Sequence, residues 1–119
     1  MYQKLIIIGN LGRDPEMQYT QDGLEVTKCS VACKDGKDKT IWIRITTFGK
    51  TAQAVKQHLS KGKRALFEGQ LQADDNGNPE IWTDREGKAH SSFQMIANQV
   101  VFLSPKDDGE RVETDDIPF

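Results

Sequence analysis

The chain has 119 residues, 16 of them basic and 18 acidic, with 36% apolar and a formal net charge of −2. That is one domain's length, enough to bury a core of its own. No apolar run approaches the roughly 20 residues of a membrane helix. Leu5 to Ile8 is too short for a secretion signal, and no small-residue cleavage site follows it. The expectation is a cytoplasmic protein with no membrane partner.

Cys29 and Cys33 are the only cysteines. Four apart in an apparent strand, they share a face roughly 13 Å apart at about 3.3 Å per residue, too far for a disulfide within one regular strand. Cys-x3-Cys with a scattered His58 and His90 offers too few ligands for a metal, so no metal and no other cofactor is expected. The two thiols read as small buried groups. Net charge conceals an asymmetry. Residues 106–119 hold six acids (Asp107, Asp108, Glu110, Glu113, Asp115, Asp116) against two bases (Lys106, Arg111), leaving 14 bases and 12 acids in residues 1–105. A mildly basic body precedes an acidic tail, and what matters for a polyanionic partner is where the charges sit.

In chain order, Tyr2 to Leu11 is apolar at nearly every position, as in a strand buried on both sides or curling through a small barrel. Gly9 and Gly12 mark bends in it. Asp14-Pro15 and Asp22-Gly23 make residues 13–23 a turn region. Leu24 to Cys33 is the second strand, Lys34 to Lys39 a charged turn, and Thr40 to Phe48 the third strand. The period then changes: residues 51–61 place Ala52, Val55 and Leu59 on one helical face, with Thr51 as N-cap and Gly62 as stop. Lys63 to Leu71 returns to strand. Ala73 to Ser91 carries two turn signals, Asn76-Gly77-Asn78-Pro79 and Arg85-Glu86-Gly87-Lys88, around Ile81-Trp82, and so predicts a long two-legged excursion. Ser92 to Leu103 closes the set, ended by Pro105. Five strands with one short helix between the third and fourth is the element order of an all-β OB-fold barrel over residues 1–104. Residues 105–119 are too polar to pack and read as a disordered acidic tail.

Alternation along the third strand puts Ile41, Ile43, Ile45 and Thr47 on one face and Thr40, Trp42, Arg44, Thr46 and Phe48 on the other. The first set is a core face. The second sets a base between two aromatics, with Lys50 just beyond. Exposed aromatics on such a face need a cover, and unpaired nucleotides supply one. Each base has a π-face to stack on, worth about 1–3 kcal/mol, while Arg and Lys neutralise the phosphates. The alternative covers are the long excursion and a partner subunit. Trp82, beside Glu80, Asp84 and Arg85, either anchors the excursion to the barrel or adds a third aromatic to the groove. Besides Arg44, the bases near these elements are Lys4, Arg13, Lys28, Lys50, Lys61, Lys63, Arg64, Arg85 and Lys88.

No catalytic constellation emerges, and no enzyme activity is expected. His58 has no acid at a useful spacing, Asp74-Asp75 sits beside a turn, and Gly9-Asn10-Leu11-Gly12 lacks the pattern of a phosphate loop. At the C-terminus, Asp115-Asp116-Ile117-Pro118-Phe119 sets two carboxylates before an apolar tripeptide. An apolar pocket rimmed by Lys or Arg suits it, the Phe as anchor and the carboxylates for steering.

Residues 5–16 (LIIIGNLGRDPE) resemble the opening of bacterial single-stranded DNA-binding proteins. Trp42-Ile43-Arg44, Phe48-Gly49-Lys50, Leu59-Ser60-Lys61-Gly62 and Glu68-Gly69-Gln70-Leu71 are similar to that family's successive core motifs, and Asp115 to Phe119 to its C-terminal tip. The resemblance covers essentially the whole chain. It implies sequence-independent binding of single-stranded DNA, with bases stacked on Trp42, Phe48 and Trp82 and phosphates met by Lys4, Arg44, Lys50 and Lys61. It also implies a homotetramer of OB-folds, and a tip that recruits replication, repair and recombination proteins. The alternative is an OB-fold module that binds RNA, or one whose aromatic face is a subunit interface. The chain departs from the family in three places. The turn between the second and third strands is short and lacks the family's tryptophan near that hairpin. The excursion carries an extra Asn76 to Pro79. The linker is brief: residues 104–119 reach only about 50 Å at roughly 3.3 Å per residue.

So short a tether keeps the acidic tail at high effective concentration near the basic body, where it competes with DNA. Deleting residues 106–119 is expected to tighten oligonucleotide binding at low salt, as measured by titration. Unchanged affinity at low salt refutes the competition.

Overall fold

The computed structural model describes residues 1–36 and 38–104. The acidic tail and its tip at Asp115 to Phe119 lie outside the described residues. The elements are β1 (Leu5–Leu11), β2 (Glu16–Tyr19), β3 (Glu25–Asp35), β4 (Lys39–Phe48), α1 (Gly49–His58), β5 (Arg64–Leu71), β6 (Ile81–Thr83), β7 (Ala89–Ser91) and β8 (Phe93–Phe102).

The main sheet runs β1-β5-β8-β4-β3-β2, and β1 returns to β3 through Asn10↔Ala32 and Leu11↔Val31. That return closes a barrel of β1, β3, β4, β5 and β8, in which only β4 and β8 run parallel. The five long strands, with α1 between the third and fourth of them, are the OB-fold that the element order predicted. Closure depends on how near two backbones can come. A Cβ built on Gly9 would lie 2.3 Å from the Ala32 carbonyl oxygen, so β1 can pass from β5 to β3 only with hydrogen at that position.

Residues 13–23 are more than the turns expected of them. β3 is eleven residues long, and β1 pairs with it only at Val31 and Ala32. The bare edge from Glu25 to Lys28 would leave backbone groups unpaired. Chain segment β2 takes them, with Glu16↔Lys28 through Tyr19↔Glu25.

The helix starts and stops differently from the sequence reading. It begins directly from β4, with Phe48 in the cap position and no side-chain cap bond; Thr51 is inside the helix, not its N-cap. Gly49, at φ 62°, makes the corner. It ends at His58 because Leu59 leaves the helical path, 5% exposed, to join the core. Gly62 belongs to the following turn, where the Lys63 N–H donates to the Ser60 carbonyl. The face of Ala52, Val55 and Leu59 packs inward as its spacing required.

Phe67, Ile45, Met95, Val31 and Val55 fill the barrel and have no accessible surface. Two hydroxyls are buried among them, each satisfied: Thr27 donates to the Ala52 carbonyl at 2.9 Å and Thr47 to the Thr27 carbonyl at 3.4 Å. The first bond fastens α1 to β3. Cys29 and Cys33 are both free; burial pushes the Cys29 thiol up to about 12, so it stays neutral. Among the described residues no helix is long and apolar enough to cross a membrane.

Substituting Gly9→Ala is expected to cost about 1–3 kcal/mol, the range for an over-packed site, by prising β1 off β3. Urea unfolding monitored by circular dichroism measures it.

Candidate nucleic-acid interface

β4 builds the interface by its pleat. Its inward residues Ile43, Ile45 and Thr47 are buried, which forces Trp42, Arg44 and Phe48 outward. Trp42 is 52% exposed and Phe48 40%, so neither is covered by the excursion. On the neighbouring strands Ala32 faces Trp42, Val26 faces Phe48, and Arg44 lies between Ser30 of β3 and Gln94 of β8. The indole of Trp42 rests over Gly12, where a built Cβ would come within 2.5 Å of the ring. Gly12 is held there by its N–H, which donates to the Ser30 carbonyl at 2.8 Å. Phe48 is six residues along from Trp42, roughly 20 Å at about 3.3 Å per residue.

The excursion brings the third aromatic to this face. Among the described residues β6 and β7 pair only with each other, as Ile81↔Ser91, Trp82↔His90 and Thr83↔Ala89. The Gln94 side-chain amide donates to the Glu80 carboxylate at 2.9 Å, tying the root of the hairpin to β8 beside Arg44. The Arg44 guanidinium carbon lies 5.8 Å from the centre of the Trp82 ring, within cation–π range. On the other flank of Arg44, Arg13, Glu16, Lys28 and Ser30 join it around a cleft of 110 Å³.

Trp42, Arg44 and Trp82 therefore converge, with Arg13 and Lys28 alongside. Lys50, the second residue of α1, follows Phe48. Arg85 and Lys88 are exposed in the β6–β7 turn. Lys61 is exposed in the turn after α1, its backbone N–H donating to Asp14 at 2.8 Å. The Lys63 carbonyl accepts the Leu11 N–H, which joins that turn to β1. Arg64 opens β5 opposite Asn10 and lines a 440 Å³ hollow with Ile8, Cys33 and Lys34. Lys4 is placed apart from the aromatics: it pairs with Glu68 at 3.4 Å, and that carboxylate raises the lysine pKa.

Residues 2–103 match the sequence pattern of the Single-strand binding protein family. The chain belongs to that family. It is 34% identical to Single-stranded DNA-binding protein 1 of Xylella fastidiosa (strain 9a5c), over 92% of this chain and 82% of the relative. The Single-stranded DNA-binding protein of Xanthomonas axonopodis pv. citri (strain 306) is 32% identical, over 89% of this chain and 60% of its own length. That of Wolinella succinogenes is 33% identical, over 89% of this chain and 67% of its own. In this member of the Single-strand binding protein family, two residues to which sequence reading gave no role at the candidate interface stand against Trp82. His90 stacks on Trp82, ring centres 4.5 Å apart and planes 19° from parallel, and Asp84 is 2.7 Å from the His90 Nε2. That bond holds the Asp84 carboxyl below the usual carboxylate range. The available signal was register: eight residues across a two-residue-periodic hairpin set Trp82 opposite His90, but only once the turn is known. Gly12, read as a bend, is the floor beneath Trp42.

Gly12→Ala is expected to displace the Trp42 indole, because the ring edge is the part that can yield. Oligo-dT affinity should fall about tenfold, within the range for one lost stacking base, while the melting temperature changes little. A fluorescence titration paired with a thermal melt checks both.

Proposed function

We propose that the protein binds single-stranded DNA without sequence preference, protecting it during replication, recombination and repair. Bases stack on Trp42, Phe48 and Trp82; Arg44, Lys50, Lys61, Lys63, Arg64, Arg85 and Lys88 meet phosphates along the path. The observation that carries this reading is the Arg44 guanidinium over the exposed Trp82 indole, on the same outward face of β4 as the exposed Trp42. Stacking platforms spaced by cations suit a flexible polyanion with a π-face on every unit. A duplex hides those faces. Lys4 meets phosphate by exchanging its exposed ion pair with Glu68.

The working unit of this reading is a homotetramer. Two features favour a second copy. On its side away from β5, β1 has no strand partner from Leu5 to Ile8 among the described residues. Beside that edge Ile8, Leu66 and Val101 line up across β1, β5 and β8, next to Ile6, which is half exposed. The domain so assembled is residues 1–104, with residues 105–119 as a tether. Asp115, Asp116, Ile117, Pro118 and Phe119 recruit partner proteins in the cytoplasm.

Titration with oligo-dT, followed by tryptophan emission, tests the binding reading. Strong quenching by single strand and little by duplex of equal length is expected. Trp42→Ala should weaken binding about 10- to 100-fold, as expected for about 1–3 kcal/mol per stacked base. The logarithm of affinity should fall with that of salt by about 0.7 per phosphate contact. Equal response to duplex, or no quenching, refutes the reading and makes the aromatic face a subunit interface. Preferential binding of oligo-U supports an RNA module.

A further inference from the structure

The excursion contains two turns of one design. In each, an aspartate opens the turn and a glycine follows three residues later: Asp74 with Gly77, and Asp84 with Gly87. The glycine N–H donates to the aspartate carbonyl at 3.0 Å in both. The aspartate Oδ1 accepts two further backbone N–H groups, from Asn76 and Asn78 in the first turn and from Glu86 and Lys88 in the second. Asp84 differs in what its second oxygen does: Oδ2 is 2.7 Å from His90 Nε2. An ionised carboxylate only accepts, so Nε2 carries the proton and the imidazole is fixed in tautomer and orientation. The ring so fixed lies nearly parallel to Trp82, across the strand pair.

A three-pair hairpin that joins no larger sheet is marginal in water. Ile81 is 69% exposed and Thr83 and Ala89 are exposed too, so the Trp82–His90 stack is the hairpin's principal packing. We infer that Asp84 and His90 are positioning residues for DNA binding: the carboxylate aims the imidazole, and the imidazole holds the Trp82 indole oriented before a base arrives. This rests on the stacking role of Trp82 stated above. The chemistry is that of a preassembled stack. One face of the indole is occupied by His90, and the arriving base extends the stack instead of ordering a free side chain, which lowers the entropic cost of binding. Arg44, whose guanidinium lies over the same ring in the free protein, gives up that place to the arriving base and takes the adjoining phosphate.

A double-mutant cycle on the full chain tests the coupling, with oligo-dT affinity as readout and thermal unfolding as control. His90→Ala is expected to weaken binding about three- to tenfold, a modest part of one stacking interaction. His90→Phe, which keeps a flat ring but loses the bond to Asp84, should recover only part of that loss, and Asp84→Ala should weaken binding by the part that Phe does not restore. In a Trp82→Ala chain, His90→Ala should cost nothing more, because the residue it positions is gone. With Trp42→Phe making Trp82 the sole tryptophan, His90→Ala should also shift its emission to the red in the free protein. Equal losses from His90→Ala with and without Trp82 would make His90 a general structural residue and overturn the inference. So would parent affinity in His90→Ala while Trp82→Ala binds weakly, and that result leaves the stacking reading intact. Parent affinity in Trp82→Ala itself removes the stacking role of Trp82, and the inference with it.

Discussion

The pleat of β4 is the constraint from which both the core and the interface derive. β4 is paired on both sides, to β3 along ten residues and to β8 along four, so its register is fixed by two partners at once. A slip by one residue would turn Ile43 and Ile45 to water and Trp42 and Arg44 into the barrel. Burial of the isoleucines therefore holds the aromatic and basic side chains outward. A structural energy, spent in the core, keeps a chemically useful face exposed where it would otherwise collapse.

Closure of the barrel does the second part of the positioning. β1 reaches β3 only at its end, and the residue just after it, Gly12, comes to lie under the Trp42 ring. The same passage that shuts the barrel thus supplies the surface against which that indole rests. α1 plugs the barrel with Ala52 and Val55, joined by Leu59 just after the helix, and is fastened to β3 by the buried Thr27 hydroxyl. The rigid frame is a layer of packed strands. The hairpin of β6 and β7 is the opposite kind of element: short, paired only with itself, and joined to the frame through Glu80 with Gln94 and Trp82 with Arg44.

The sequence by itself determined the five long strands, the intervening helix, the inward and outward faces of β4 and the membership of Trp42, Arg44 and Phe48 in one surface. Those features depend on local periodicity, and periodicity is written in neighbouring residues. It also carried the two turn signals of the excursion. Only the tertiary structure decided the rest. β2 forms because β3 has a bare edge, a fact about strand lengths elsewhere in the barrel. The helix stops early because Leu59 is drawn into the core, against the reading of Gly62 as its end. Lys4 looked like Lys50 in one dimension, yet the β1–β5 register sets it beside Glu68. Trp82 meets Arg44 and His90, and Gly12 meets Trp42, through contacts between residues that are distant in the chain or opposed only after a turn closes. Alternation tells which way a side chain points; what it then touches is set by the path of the other strands.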